Sequence, residues 1–333
     1  MFSFRAFFAD SENCKSTSTM GVSVTTGSEN PSPPSMPMIL RVNRCISTVG
    51  IISHHTYQSD STPSHMDGIE QRDVARIIGS DLVKEHDAVT MEDPLTIELI
   101  TPEYGTYNLG VTMRTRGEDR SLALGFLYSE GIISSMDNIE RIDSEEDVIS
   151  LTLQRGSKFD PKVHCRPSTV SSACGICGRS TIDDALGMHG RIDLDEVSSI
   201  SLKVIAECLN QIRTSQKIFD LTGGSHACCS FTTDAKMIEI FEDVGRHNAM
   251  DKLVGSYFRK RKMPPTEPIC ILSGRASFEL VHKSLLAGFP ILVAIGAPST
   301  MAVDLSKEHG QTLICFAKEN SLTAYSGVRR ISQ

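Results

Sequence analysis

No run of eighteen apolar residues occurs anywhere in the chain, so no segment is long enough to cross a bilayer as a helix. Positive charge is not in excess either. The 33 Lys and Arg stand against 41 Asp and Glu, a net charge of −8, which argues against a general nucleic-acid binder with a basic footprint. Cysteine is sparse, at ten in 333 residues. That is far below a disulfide scaffold, and a reducing, cytoplasmic setting is the natural expectation. A second CxxC is missing, and so is the H-x-E that a zinc deaminase pairs with its P-C-x-x-C; residue 173 is Ala instead of Pro.

What is present is enough for a folded protein of two domains, or of one large domain with additions. Apolar residues make up 40% and charged residues 22% of the chain, both ordinary for a globular core. Residues 1–65 read differently from the rest. Twenty of them are Ser or Thr, and "NPSPPSMPM" cannot hold a helix or a central strand. Residues 1–80 are therefore expected to be a disordered extension. Four basic residues balance four acidic ones in residues 1–65, unlike an Arg-rich, acid-poor transit peptide. Met66, just before "DGIEQRDVARIIG", is an alternative start.

The reading expects an α/β protein of two lobes. Residues 85–165 form a smaller α+β lobe. In it "LTIELI" and "TYNLGVTMR" alternate as strands about the turn "TPEYG". A helix follows on Leu122, Phe126 and Leu127 with Gly131 at its C′ position, and then the strand "DVISLTL". Residues 166–333 form the second lobe, a mixed, partly parallel sheet sandwiched by helices. A helix on Ile205, Leu209 and Ile212 precedes an antiparallel pair, "TGGSHACCSF" and "MIEIFEDV". A helix carrying Met250, Leu253, Val254 and Tyr257 on one face comes next. Strands "ICILSG", "PILVAIG" and "QTLICFA" then alternate with helices that end at Gly288 and Gly310, and Pro298 is placed at a helix N1.

In open α/β sheets ligands bind beyond the carboxyl ends of the strands. Those ends carry "EDVGRHN", "SGRAS", "GAPST" and "FAKENS". Two lead into helix starts, where backbone N–H groups suit phosphate oxygens. The expected ligand-binding residues are Arg246, His247, Ser273, Gly274, Arg275, Gly296, Pro298 and Ser299. Glu242 and Asp243 either hold Arg246 or His247, receive N–H groups of a ligand, or form a surface ion pair. His226 is either a structural histidine or a pocket residue. Arg114 and Arg116 are expected to brace the lobe interface.

"ACGICG" places Cys174 and Cys177 two residues apart, each followed by glycine. Four chemistries fit: half a zinc site, a dithiol redox pair, a sulfur-carrying nucleophile, or an incidental turn. Zinc would need partners such as His226, Cys228 or Cys229, yet adjacent strand residues point to opposite faces. A thioredoxin-like pair opens a helix after a first strand, whereas this one follows the loop-like "RPSTVSSA" in mid-chain. The glycines let the backbone approach another molecule closely. Arg179 favours the thiolate, and persulfide is one reversible cap that a thiolate accepts.

With "DPLTIEL", "SSACGICG", "TGGSHAC", "EDVGRHNAMDKLVG", "SGRASFELVHK" and "GFPILVAIGAPSTMAVDLS" in this order, the chain resembles the formate dehydrogenase accessory sulfurtransferase family over residues 85–333. The resemblance implies a cytidine-deaminase-like fold in the C-terminal lobe, a homodimer, and no catalytic metal. It implies a sulfurtransferase that takes persulfide sulfur from a cysteine desulfurase. The sulfur goes to the molybdenum (or tungsten) bis-molybdopterin guanine dinucleotide cofactor before insertion into the catalytic subunit of formate dehydrogenase. Cys174 is then the persulfide carrier and Cys177 its assistant. Phe316, Ala317, Lys318, Glu319, Asn320 and Ser321, placed after the last strand, match the family's cofactor-binding segment, with Lys318 where the family carries an FAR-like Arg. A chaperone that holds the same cofactor without covalent sulfur is the alternative.

Overall fold

The computed structural model describes residues 68–157, 159, 161 and 199–332. Strands β1 (Ile69–Ile78) and β2 (Asp81–Thr90) form an antiparallel hairpin, with Gly79 at φ 63° in its turn. This corrects the expected extension boundary at residue 80, since Ile69–Ile78 are paired residue for residue with Asp81–Thr90. Most of the hairpin is exposed, so its sequence needs no apolar alternation to mark it.

Strands β3 (Asp93–Thr101) and β4 (Gly105–Arg114) enclose "PEY", as the alternation requires. Leu95, Ile97 and Leu99 of β3 all face the core. Helix α1 (Asp119–Ser129) follows and ends with Gly131 at φ 68°. Strands β5 (Ile139–Glu145) and β6 (Val148–Leu153) complete a sheet of order β4-β3-β6-β5, in which β3 and β6 run parallel. Leu122, Ala123 and Leu127 of α1 pack on Leu95, Leu99, Ile149 and Leu151 of this sheet.

The short β7 (Ile200–Ser201) leads into α2 (Leu202–Ser215) and α3 (Lys217–Thr222). Strands β8 (His226–Phe231) and β9 (Met237–Asp243) are antiparallel, and α4 (Arg246–Arg259) follows them. Then come β10 (Ile269–Leu272), α5 (Phe278–Ala287), β11 (Ile291–Ala294), α6 (Thr300–Glu308) and β12 (Thr312–Lys318). Strands β13 (Ser321–Ser326) and β14 (Ile331–Ser332) end the described chain.

The main sheet has the order β13-β12-β11-β10-β8-β9, with β10, β11 and β12 parallel and the other pairs antiparallel. Both faces are covered. Leu292, Ala294 and Leu313 pack with Val254 of α4, Val281 of α5 and Leu305 of α6, while Ile291, Val293 and Ile314 pack with Ile205 and Ile212 of α2. Each such Leu, Ile or Val side chain contributes about 1.5–3 kcal/mol on burial, which is why these strands read as unbroken apolar runs. Cys228 and Cys229 fall in the two different cores and are fully buried, as strand alternation demands.

Helices α1 and α4 lie against each other. A Cβ on Gly125 would overlap the Asp251 carbonyl oxygen, and one on Gly255 would overlap that of Ser121. The two glycines thus let the helix backbones touch.

Candidate functional site

The parallel strands β10, β11 and β12 finish at one edge of the main sheet. Strand β8 begins there and β9 ends there, because Leu272 pairs with Cys228 and His226 pairs with Asp243. The loops leaving this edge are stitched together. The Gly296 N–H donates to the Gly274 carbonyl at 2.9 Å, Ala276 N–H to Ala297 at 3.1 Å, Ser299 N–H to Ala276 at 3.0 Å, and Phe316 N–H to Gly296 at 3.1 Å. A Cβ on Gly296 would sit 2.9 Å from the Gly274 oxygen and 3.0 Å from the Arg275 Cα, so the loops can lie this close only with glycine at that position.

Two of the loops are built alike: strand, Gly-x-x-Ser, helix. Ser277 Oγ accepts from Leu280 N–H at 3.5 Å to cap α5, and Ser299 Oγ accepts from Ala302 N–H at 3.2 Å to cap α6. Pro298 therefore precedes the N-cap; it is not the N1 residue that the sequence spacing implied. Because Ser299 is exposed, Ser299→Ala tests its cap alone. Loss of about 1 kcal/mol is expected, read as a fall of about 2–4 °C in a circular-dichroism melt.

At the start of α4 the geometry is set by Asp243. Its fully buried carboxylate accepts from the backbone N–H groups of Gly245 (2.8 Å) and Thr115 (3.2 Å), from Asn248 Nδ2 (3.0 Å) and from Lys252 Nζ (2.7 Å). Lys252 also donates to the Thr115 carbonyl at 2.9 Å, and Asn248 donates to that of Met113 at 2.7 Å. Asp243 therefore holds the Gly245–Arg246–His247 turn and ties it to the end of β4. Glu242 does something else, accepting from the Ile218 and Phe219 N–H groups at the start of α3, both at 2.9 Å, and from Ser225 Oγ at 2.7 Å. The surface-pair reading of these two acids does not hold.

His247 Nε2 lies 2.8 Å from Glu279 Oε2 and 3.3 Å from Ser277 Oγ, which joins the α4 start to the loop after β10. His226 sits beside Gly274. Burial pushes its imidazole below the usual histidine range, and Arg246 and His247 add to the shift, so the ring is neutral at pH 7. Arg246 Nε is buried and has no hydrogen-bond partner among the described residues. The edge thus offers helix starts, glycine-lined backbone and cationic side chains, a setting suited to anionic oxygens.

Of the other residues singled out in the sequence, Ser273 joins β10 to β8: its Oγ accepts from Ala227 N–H at 2.8 Å and its own N–H donates to the Ala227 carbonyl at 3.0 Å. Arg275, Lys318, Glu319, Asn320 and Ser321 are exposed at the edge. Phe316, Ala317 and Lys318 are the last residues of β12, and Ser321 opens β13. The segment is therefore a hairpin turn with two strands after it, a correction to its expected place beyond the last strand. Phe316 holds φ 51° at a break in the β12–β13 register and is 45% exposed. A non-glycine residue in this region is strained, a state that recurs at functional sites. Arg114 is fully buried against Asp119, with both contacts at 3.0 Å, and Arg116 pairs with Asp93 and Asp147. Arg114 braces the start of α1 and, through the Glu146 carbonyl, the β5–β6 turn, while Arg116 ties β3 to that turn; both act within the smaller sheet instead of at a lobe interface. Cys174 and Cys177 lie outside the described residues. Among the described residues no group of three His, Cys, Asp or Glu is placed to hold a metal ion, and no helix is long and apolar enough to cross a membrane.

The FdhD/NarQ family model matches residues 91–332, a span containing every loop of this edge and both motif cysteines. The chain belongs to the FdhD/NarQ family. Among its relatives is the sulfur carrier protein FdhD of Streptomyces coelicolor, 35% identical over 79% of this chain and 95% of that protein. The sulfur carrier protein FdhD of Sulfolobus acidocaldarius is 39% identical over 74% of this chain and 91% of its own length. The fold is shared with a solved structure from Desulfotalea psychrophila described as a formate dehydrogenase accessory protein. The TM-score is 0.63 and the identity 20%, over 79% of this chain and 99% of that one. The FdhD/NarQ match begins between β2 and β3, so the β1–β2 hairpin precedes it.

Residues that sequence reasoning left out are Asn248, Lys252, Ser277 and Glu279. Ser277 had a signal, the Gly-x-x-Ser spacing repeated at Ser299. Lys252 had none, because its partners Asp243 and Thr115 are separated from it by 9 and 137 positions.

Proposed function

We propose that this FdhD/NarQ protein is a sulfurtransferase in cofactor maturation. The observation that carries the reading is a CxxC flanked by glycines inside a family match whose relatives are named sulfur carrier proteins. The Cys174 thiolate attacks the terminal sulfur of a cysteine desulfurase persulfide. A new S–S bond forms at Cys174, the donor's S–S bond breaks, and the donor cysteine leaves as thiolate. The Cys177 thiolate then attacks the Cys174 sulfur, expelling sulfide and leaving a Cys174–Cys177 disulfide, so that the pair supplies the two electrons that reduce the sulfane sulfur.

The recipient is the molybdenum or tungsten bis-molybdopterin guanine dinucleotide cofactor, held as cargo at the carboxyl edge of the main sheet. Arg246, Arg275 and Lys318 provide charge for its pyrophosphates, Gly274 and Gly296 allow close approach, and the Phe316–Ser321 turn closes one side. The sulfurated cofactor passes to the catalytic subunit of formate dehydrogenase, and the carrier acts as a homodimer.

The test incubates the reduced full chain with a cysteine desulfurase and cysteine, then maps adducts by mass spectrometry without reductant. The peptide containing Cys174 and Cys177 is expected to gain one sulfur atom that dithiothreitol removes. Cys174→Ala should abolish the gain, while Cys177→Ala should keep it and slow sulfide release. An unmodified peptide in protein that still binds the cofactor would replace this reading with that of a non-covalent chaperone.

A further inference from the structure

Five of the ten cysteines, Cys208, Cys228, Cys229, Cys270 and Cys315, fall among the described residues, and all five are free thiols, fully buried. They are divided between the two faces of the main sheet. Cys228, Cys270 and Cys315 belong to one core, and Cys208 and Cys229 to the other. Cys228 and Cys270, on the paired strands β8 and β10, bring their Sγ atoms to 3.6 Å. That pair could in principle supply two electrons, but it is sealed in the same core as Met250 and Leu253 of α4. Burial pushes the Cys208 and Cys315 thiols up to about 12. It holds those of Cys228 and Cys229 well above the usual range. Exchange with a disulfide needs a thiolate that can reach it, and the core thiols have neither the charge nor the access.

The proposed discharge leaves the motif oxidised, because expelling sulfide takes two electrons from Cys174 and Cys177. We infer that these electrons return from outside the chain, by thiol–disulfide exchange with an external dithiol, and that no thiol of the chain itself supplies them. The inference rests on the sulfurtransferase reading and adds the reaction that must follow each discharge. A thiolate of the dithiol attacks one motif sulfur; the Cys174–Cys177 bond breaks, a mixed disulfide forms, and the freed motif thiolate takes up a proton. The second thiolate of the dithiol then attacks its own sulfur in the mixed disulfide. The dithiol leaves as a disulfide and both motif thiols are restored. A monothiol forms the same mixed disulfide, but the freed motif cysteine, two residues away, recloses the bond. A dithiol carries its competitor to that reclosure with it.

The test takes the intact, reduced chain through two challenges with a persulfidated cysteine desulfurase freed of excess cysteine. The first should release about one sulfide per chain and leave a Cys174–Cys177 disulfide in the peptide map. A second challenge should release almost none. Dithiothreitol given between the challenges and then removed should restore the second release. Glutathione at the same thiol concentration should restore at least about tenfold less. Cys228 and Cys270 should stay reduced throughout and resist iodoacetamide until urea unfolds the chain. A second sulfide from the untreated chain would overturn the inference, whichever of its thiols gave the electrons. So would a Cys228–Cys270 disulfide after discharge, equal recovery with glutathione, or sulfur that loads on Cys174 and stays there. A chain that takes up no sulfur in the first challenge would instead remove the sulfurtransferase reading itself.

Discussion

Gly255→Ala is expected to destabilise the protein by about 3 kcal/mol, although alanine is the better helix former by about 1 kcal/mol. The two effects have opposite signs, and contact decides between them. Gly255 lies inside α4, where its Cα faces α1, and an added Cβ would overlap the Ser121 carbonyl oxygen and come within 2.6 Å of the Gly125 nitrogen. These are backbone atoms, already committed to the hydrogen bonds of α1, so no side chain can turn aside. Relief requires the helices to separate, which opens the layer holding Leu122, Leu127 and Phe258. Gly125→Ala meets the Asp251 backbone in the same way and should cost a similar amount. A urea titration should show the midpoint falling by about 1 M or more. A midpoint that rises would mean that helix propensity wins and that the helices are not in backbone contact.

These glycines show what a sequence reading could and could not see. Inside a helix a glycine reads as a local weakness, and nothing near Gly255 announces a partner some 130 positions upstream. Helix α4 itself was legible, since Met250, Leu253, Val254 and Tyr257 all face one core. So were β3 and β6, whose every second residue is buried, β4, whose TYNLGVTMR continues the alternation across the turn, and the strands from β10 to β12, whose burial demands apolar runs with glycine at the breaks. Strand β5 escaped: "IERIDSE" has no fully buried residue and so no pattern to display. The β1–β2 hairpin escaped for the same reason, with Ile77 and Leu82 exposed and paired only with each other across the ladder. At the sheet edge the loops were legible as Gly- and Ser-rich strand ends, and Asp243 was among the acids expected to hold Arg246 or His247, but the distant partners through which it does so were not. Asp243 has its decisive contacts with Thr115 and, through Asn248, with Met113, and no spacing rule links positions so far apart.

That carboxylate gives the other large expected effect. Asp243→Asn keeps the shape of the side chain but leaves the Lys252 ammonium buried, 3% exposed and without its counter-charge. Breaking a buried pair from one side costs about 3–5 kcal/mol. An amide also has one acceptor oxygen where the carboxylate now receives four donors, so at least one backbone N–H loses its partner. Lys252→Met removes the other charge and leaves Asp243 its three remaining donors, so its cost should be smaller. The double variant should be more stable than the sum of the two losses predicts, by about 0.5–3 kcal/mol, which is the signature of direct coupling. Because Asp243 also fixes the N–H of Gly245 and the side chain of Asn248, the asparagine variant should loosen Arg246 and His247 at the sheet edge. Purified at a temperature where it stays folded, it should still accept sulfur on Cys174 yet bind the guanine-dinucleotide cofactor at least about tenfold more weakly. Normal cofactor affinity in that variant would show that the Arg246–His247 turn is no part of the binding edge, whatever the fold has lost.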